Sequence, residues 1–343
     1  MSELSWLRAR LQGKRFLVLG RAGMDLYPDP PGTRTQDAAQ FFACLGGSSG
    51  NIAAALARQG ATVSLLSKLS DDAIGRFTRA ELAKYGIDDA HVSMAHGDAR
   101  TTLAFAETRV EDHQSVLYRN GAADFALTPD DVTAVDFAGF DALIATGTAL
   151  AAEPSRSAVL CAIKLARAAD VPVILDVDYR PYSWPSVNVA AETYAAAAAL
   201  CDIVIGNDVE FGVVAGSDAR GLARARELAA TTAGIVVYKM GEAGAVTIAE
   251  GAEHRTGIYP VTALKPTGAG DAFMGSFICA LAAGHAVRDA VLRGSAAAAI
   301  VVGRVGCAPA MPTPVELNDF LARHPGPTNP GPTTPGPTNS LKD

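Results

Sequence analysis

The sequence predicts an α/β protein with a doubly wound, mostly parallel sheet flanked by helices. Three observations carry that prediction. Short, continuous apolar runs recur along the chain, and longer helical patterns separate them. A strand that is apolar throughout is buried on both faces, as in a parallel sheet covered by crossover helices. Bulk is the third: 343 residues, 49% of them hydrophobic and 19% charged, can bury a large core as one α/β domain or two smaller ones.

Taken in order, FLVLG (16–20) reads as a buried strand ending in glycine. SGNIAAALARQG (49–60) is helical and closes on Gly60, and VSLLSKL (63–69) is again a strand. Further strands are DALIATG (141–147), VPVILDVD (171–178), CDIVIGN (201–207) and GIVVYKMG (234–241). Helical patterns at 155–170 and 219–233 lie between them. Such βαβ crossovers are right-handed and leave ligands at the carboxyl ends of the strands.

Two segments, 21–45 and 98–120, lack helical periodicity. The second carries TTLAFAETRV and SVLYR, rich in Thr, Val, Phe and Tyr, and reads as a hairpin. Together they predict a small β-layer beside the main sheet; strands at the edge of that sheet are the alternative. From Pro325 the chain reads PGPTN PGPTT PGPTN SLKD. Proline removes donors and glycine raises the entropy of ordering, so no core forms there. The folded domain is expected over 1–324, with a disordered tail over 325–343.

The net charge of −7, without blocks of like charge, argues against general nucleic-acid or membrane binding. The five cysteines form no C-x-x-C pair and read as reduced core residues. The N-terminus MSELSWLRARLQGKR has no apolar signal region, so a soluble, cytoplasmic protein is expected.

KPTGAGDAFMGSF (265–277) is the most informative stretch. Gly268, Ala269 and Gly270 lead into Asp271 and an apolar helix. Small residues at a helix N-terminus let an anion reach the backbone N–H groups. A carboxylate there is also a plain cap, and both readings stay open on these residues alone. In LGGSSGNIAAALARQGA (45–61), Gly46 and Gly47 form an open turn, with Asn51 near the start of a helix.

These two stretches, about 215 residues apart, together resemble the two signatures of the PfkB (ribokinase-like) carbohydrate kinases. The resemblance covers residues 16 to about 320 and implies a ribokinase-like doubly wound domain with a small β-sheet lid that often mediates dimers. It implies ATP and Mg²⁺ as cofactors. Asp271 is then the general base for the acceptor hydroxyl, and the N–H groups of Gly268, Ala269 and Gly270 the anion hole. Asn207 and Glu210 of IGNDVEF match an N-x-x-E motif that organises Mg²⁺ through water, although a bare N-x-x-E is commonly a capping pair. Lys239, Gly241 and Gly244 of YKMGEAG match the turn along the nucleotide phosphates, and 295–309 the adenine side.

Asp25, Gly46, Gly47 and Asn51 match positions that bind sugar hydroxyls. Arg180, in LDVDYRPYSW, and Arg119, in SVLYRNGAAD, are candidates for gripping an acidic sugar, with structural arginines as the alternative. DYRPYSW, GNDVEF and GRAGMDL are similar to the 5-dehydro-2-deoxygluconokinases, which phosphorylate the 6-hydroxyl of 5-dehydro-2-deoxy-D-gluconate in inositol catabolism. The 2-keto-3-deoxygluconate kinases and a non-catalytic sugar sensor are the competing readings. Lys265 departs from the Asp that many members use to hold a monovalent cation such as K⁺. Either its ammonium substitutes for that cation or it is a solvated lysine.

Overall fold

The computed structural model describes residues 2–324 together with 326 and 327; the rest of the expected tail at 325–343 lies outside the described residues. In chain order, α1 (Glu3–Leu11) leads into β1 (Arg15–Leu19), then β2 (Gly23–Asp29), β3 (Gln40–Gly46), α2 (Ser48–Arg58), β4 (Thr62–Ser70), α3 (Ala73–Lys84) and β5 (Val92–Ala95). Next come β6 (Thr102–Ala106), β7 (Ser115–Tyr118), α4 (Pro129–Thr133), β8 (Ala142–Thr146), α5 (Ser155–Ala168), β9 (Val173–Asp176), α6 (Val187–Ala198) and β10 (Ile203–Asn207). The chain continues with α7 (Asp208–Ala215), α8 (Gly221–Thr231), β11 (Ile235–Lys239), β12 (Ala245–Ala249), β13 (Ala252–Thr256), α9 (Ala269–Ala282), α10 (Val287–Val302) and α11 (Pro314–Arg323).

The main sheet has nine strands in the order β13-β12-β11-β10-β9-β8-β1-β4-β5. From β11 to β5 every pairing is parallel. Period-two geometry sends alternate residues of each apolar run to opposite faces. Thus Leu17, Leu19, Leu143 and Leu175 join one core cluster, with residues of α5 and α6. Phe16, Val18, Ile144 and Ile174 join the other, with residues of α1, α2 and α9. Burial on both faces is why these strands read as unbroken apolar stretches.

The sequence reading did not identify the hairpin β12–β13, which adds an antiparallel edge. Its two-residue turn is Glu250-Gly251, with φ of 51° and 74°, the backbone twist that suits a tight hairpin. The irregular segments form a separate four-stranded sheet, order β3-β2-β6-β7. It is a small β-sheet lid rather than an edge of the main sheet. The pair β6–β7 is antiparallel, so the 98–120 segment is a hairpin. Among the described residues no helix is long and apolar enough to cross a membrane. All five cysteines are free, and four are buried.

Candidate active site

The site gathers at the carboxyl ends of the central strands, beneath the lid and in front of α9. Gly268 precedes α9 with φ of +85°, a left-handed conformation that glycine adopts without strain. A Cβ there would also lie 2.8 Å from Cys307 Sγ. No side chain caps α9, so the N–H groups of its first turn face the cleft with the helix dipole behind them. Asp271 is in that turn but does not cap it. Its Oδ2 accepts a hydrogen bond from Asn51 Nδ2 at 2.9 Å, across 220 residues of chain. The contact exists because α2 and α9 pack closely: a Cβ on Gly275 would meet Ala55 Cβ at 2.5 Å.

Asp271 is pushed up to about 6, first by burial and then by repulsion from Asp178; Asn51, Arg180 and Lys239 oppose the shift. Asp176, on the end of β9, is raised well above the carboxylate range, chiefly by burial, with Asp178, Glu210 and Asp271 adding to it. Glu210 is raised for the same leading reason. Four carboxylates therefore face two cations, Lys239 and Arg180. Asp178 is buried, holds φ of +41°, and keeps Oδ2 without a hydrogen-bond partner. Aspartate adopts the left-handed region more readily than most residues, so the buried oxygen without a partner is what makes Asp178 a candidate site residue.

Asp25, on β2, is buried at the lid base and raised to about 6 by burial, against the pull of Arg21, Tyr27 and Lys265. Its carboxylate lies over Gly46, where a Cβ would meet Oδ1 at 1.9 Å. Gly47 begins α2, and buried Asn51 keeps its Oδ1 without a donor. Asp25, Gly46, Gly47 and Asn51 thus belong to one wall.

The two expected arginines are already engaged. Arg119 is buried; its Nη2 donates to Asp124 Oδ2 at 2.5 Å and its Nη1 to Thr148 Oγ1, and its guanidinium lies 4.1 Å from the centre of the Phe125 ring. Arg180 Nη2 pairs with Asp178 Oδ1 at 2.7 Å, and its Nη1 donates to the Tyr179 carbonyl. Arg180 is still within electrostatic range of Asp271, while Arg119 is an internal strut between the lid and the turn after β8.

Asn207 and Glu210 form the capping box of α7. Asn207 Oδ1 accepts from the Glu210 N–H at 2.8 Å, and Glu210 Oε2 accepts from the Asn207 N–H at 2.6 Å. The capping alternative is therefore realised, at the strand end facing the cleft. Lys239 ends β11, and its Nζ lies 3.5 Å from where a Cβ on Gly270 would be, at the mouth of α9. Gly241 opens a 3₁₀ turn and Gly244 follows it; a Cβ on Gly244 would meet the Thr256 carbonyl at 1.9 Å, so the bare glycine lets the turn close onto β13. The 295–309 segment is the end of α10 and a loop whose Cys307 packs against Gly268.

Lys265 is not solvated. It has 0% exposure, and its Nζ donates to the Thr267 carbonyl at 2.5 Å and the Val301 carbonyl at 3.4 Å. Among the described residues it forms no salt bridge. The sequence reading assigned no role to Asp176, Asp178 or Arg21. The signal for the two acids was present: LDVD places them two residues apart where an apolar strand runs out.

The pfkB family carbohydrate kinase pattern matches residues 14–314. The chain is 40% identical over 310 residues to 5-dehydro-2-deoxygluconokinase of Photobacterium profundum, covering 89% of this chain and 94% of that one. It is 35% identical over 311 residues to the protein of the same name from Shouchella clausii, covering 89% and 95%. Its fold is similar to a putative ribokinase II from E. coli, solved in complex with ATP and Mg²⁺, with a TM-score of 0.80 at 20% identity, covering 91% and 100%. The chain belongs to the pfkB family of carbohydrate kinases.

Proposed function

We propose that this chain is an ATP-dependent sugar-acid kinase that phosphorylates the 6-hydroxyl of 5-dehydro-2-deoxy-D-gluconate. The single observation that carries the chemistry is the Asn51–Asp271 hydrogen bond, which joins the two motif stretches in front of an uncapped helix N-terminus. The names of the relatives at 40% and 35% identity support the substrate.

Asp271 is the general base. Held by Asn51, it accepts the proton of the acceptor hydroxyl as that oxygen attacks the γ-phosphoryl group of ATP. A base of this kind contributes about 10²–10⁴-fold. The N–H groups of Gly268, Ala269 and Gly270 face the charge that develops on the transferred group. Lys239 adds a fixed positive charge beside them, and Arg180 draws charge from the acceptor side. Asp25, Gly46, Gly47 and the free Oδ1 of Asn51 receive sugar hydroxyls, with the lid excluding water. Gly241 and Gly244 shape the nucleotide side.

The excess of carboxylates and the orphaned Asp178 Oδ2 suit a divalent cation. Both oxygens of Glu210 already accept backbone N–H groups, from Asn207 and Tyr179, which favours Mg²⁺ held by Asn207 and Glu210 through water. When bound, Mg²⁺ supplies charge neutralisation on the phosphates.

The ammonium of Lys265 donates to the main-chain carbonyls of Thr267 and Val301 behind the anion hole, and we assign it the place of a monovalent cation. Residues 1–324 form the kinase domain. The exposed Phe41, Phe42, Val116 and Tyr118 of the lid support a homodimer through that sheet. Five free cysteines fit the reducing cytoplasm. A coupled ADP-release assay across 5-dehydro-2-deoxy-D-gluconate, 2-keto-3-deoxygluconate, neutral hexoses and nucleosides tests the reading. The first is expected to give the highest kcat/KM; preference for a neutral sugar or nucleoside refutes it, and no turnover of any acceptor favours a sensor.

A further inference from the structure

Arg21 lies just past the end of β1 and is 7% exposed. Among the described residues it makes no salt bridge, and its Nε is buried without a hydrogen-bond acceptor. A buried guanidinium in that state is unusual, because desolvating a charge is costly unless a partner compensates. Its backbone is pinned: the carbonyl accepts from the Gly50 N–H at 3.1 Å, and a Cβ on Gly47 would strike that carbonyl at 2.6 Å. The side chain therefore starts from a fixed point on the acceptor wall.

Charged groups surround it. Arg21 is within electrostatic range of Asp25 and Arg119. Asp271 is in range of Asp178, Arg180 and Lys239. Arg119 and Arg180 are held by Asp124 and Asp178, so neither offers a free two-pronged donor. We infer that Arg21 binds the carboxylate of the acceptor, at the Asp25 end of the cleft, and so sets its specificity for an acid. This rests on the reading of an acidic acceptor given above. An unpaired guanidinium receives a carboxylate through two parallel N–H···O bonds. A six-carbon acid with its carboxylate on carbon 1 and its reactive hydroxyl on carbon 6 would then run from Arg21 to Asp271.

The test compares the acid with its uncharged carboxamide, using the full-length enzyme, Arg21→Gln and Arg21→Lys. Arg21→Gln is expected to lower kcat/KM for the acid by about 10- to 100-fold, the effect of losing hydrogen bonds to a charged group. The carboxamide should change by less than threefold, and Arg21→Lys should recover part of the loss on the acid. The acid should raise the Tm of the parent but not of the variant, each measured against its own ligand-free Tm, since Arg21→Gln also removes the attraction to Asp25. Equal losses on acid and carboxamide, undiminished acid turnover, or an acid that raises the Tm of parent and variant alike would each overturn the assignment. A parent enzyme that prefers the carboxamide would overturn the acidic-acceptor reading and this inference with it.

Discussion

Replacing Asp271 with Asn separates chemistry from folding. The amide keeps an oxygen for the Asn51 Nδ2 hydrogen bond seen at 2.9 Å, so the local geometry survives. The base is gone, and turnover should fall by about 10²–10⁴-fold with little change in ATP affinity. Stability should move the other way. Asp271 rises from 3.8 to about 6 on folding, so its ionised form is disfavoured in the native state. Two units correspond to about 3 kcal/mol, reduced to about 1–2 kcal/mol by solvent at the open cleft. The sign follows from linkage: a raised carboxylate lowers stability above its unfolded pKa, by an amount that grows up to its folded pKa and then stays constant. The Asn variant should therefore be more stable at pH 7.5, by a few degrees in Tm, and lose that gain as pH falls towards 4. Thermal melts at several pH values and ADP-release rates read both effects. A variant with near-parental turnover, or one that melts lower at pH 7.5, refutes the reasoning.

Three further outcomes follow from the same geometry. In a pH–rate profile, kcat/KM should fall about tenfold per unit below about 6 as Asp271 protonates, and more steeply where Asp25 protonates with it; a flat profile down to pH 5 contradicts the base assignment. Gly268→Ala forces a left-handed alanine against Cys307 Sγ and should destabilise the protein by about 1–3 kcal/mol while lowering kcat; adding Cys307→Ala should recover stability only in part, as chemical denaturation would record. With the Lys265 ammonium bonded to the Thr267 and Val301 carbonyls, the proposed cation role predicts that rates in K⁺ and in a large organic cation agree within about twofold, and strong activation by K⁺ would refute that role.

Much of this was legible in the sequence, for identifiable reasons. The parallel strands announced themselves because burial on both faces leaves an unbroken apolar run, as in FLVL and VIL. GGSSGN and GAGD were readable because small residues at a helix start have few other uses in pairs. What stayed hidden depends on pairing in space. Linear sequence does not say that Arg119 is tied to Asp124 and Thr148 while Arg21 is left without a partner. Nor does it say that Lys265 turns inward, since a lysine beside a proline usually meets water. Asn207 and Glu210 look alike as a cap or as a metal-water ligand set, and the structure makes the cap explicit. The hairpin β12–β13 escaped notice because AEHRT, on the exposed edge, carries almost no apolar pattern.

The central claim is transfer of a phosphoryl group to the terminal hydroxyl of a sugar acid, at Asp271. The most direct measurement is the structure of the product by phosphorus–proton correlated NMR, after incubation of 5-dehydro-2-deoxy-D-gluconate with ATP and Mg²⁺. The account predicts a single phosphomonoester coupled to the two protons on carbon 6, formed by the parent enzyme and not by Asp271→Asn on the same timescale. A phosphate at any other position, or equal product from the variant, would contradict it.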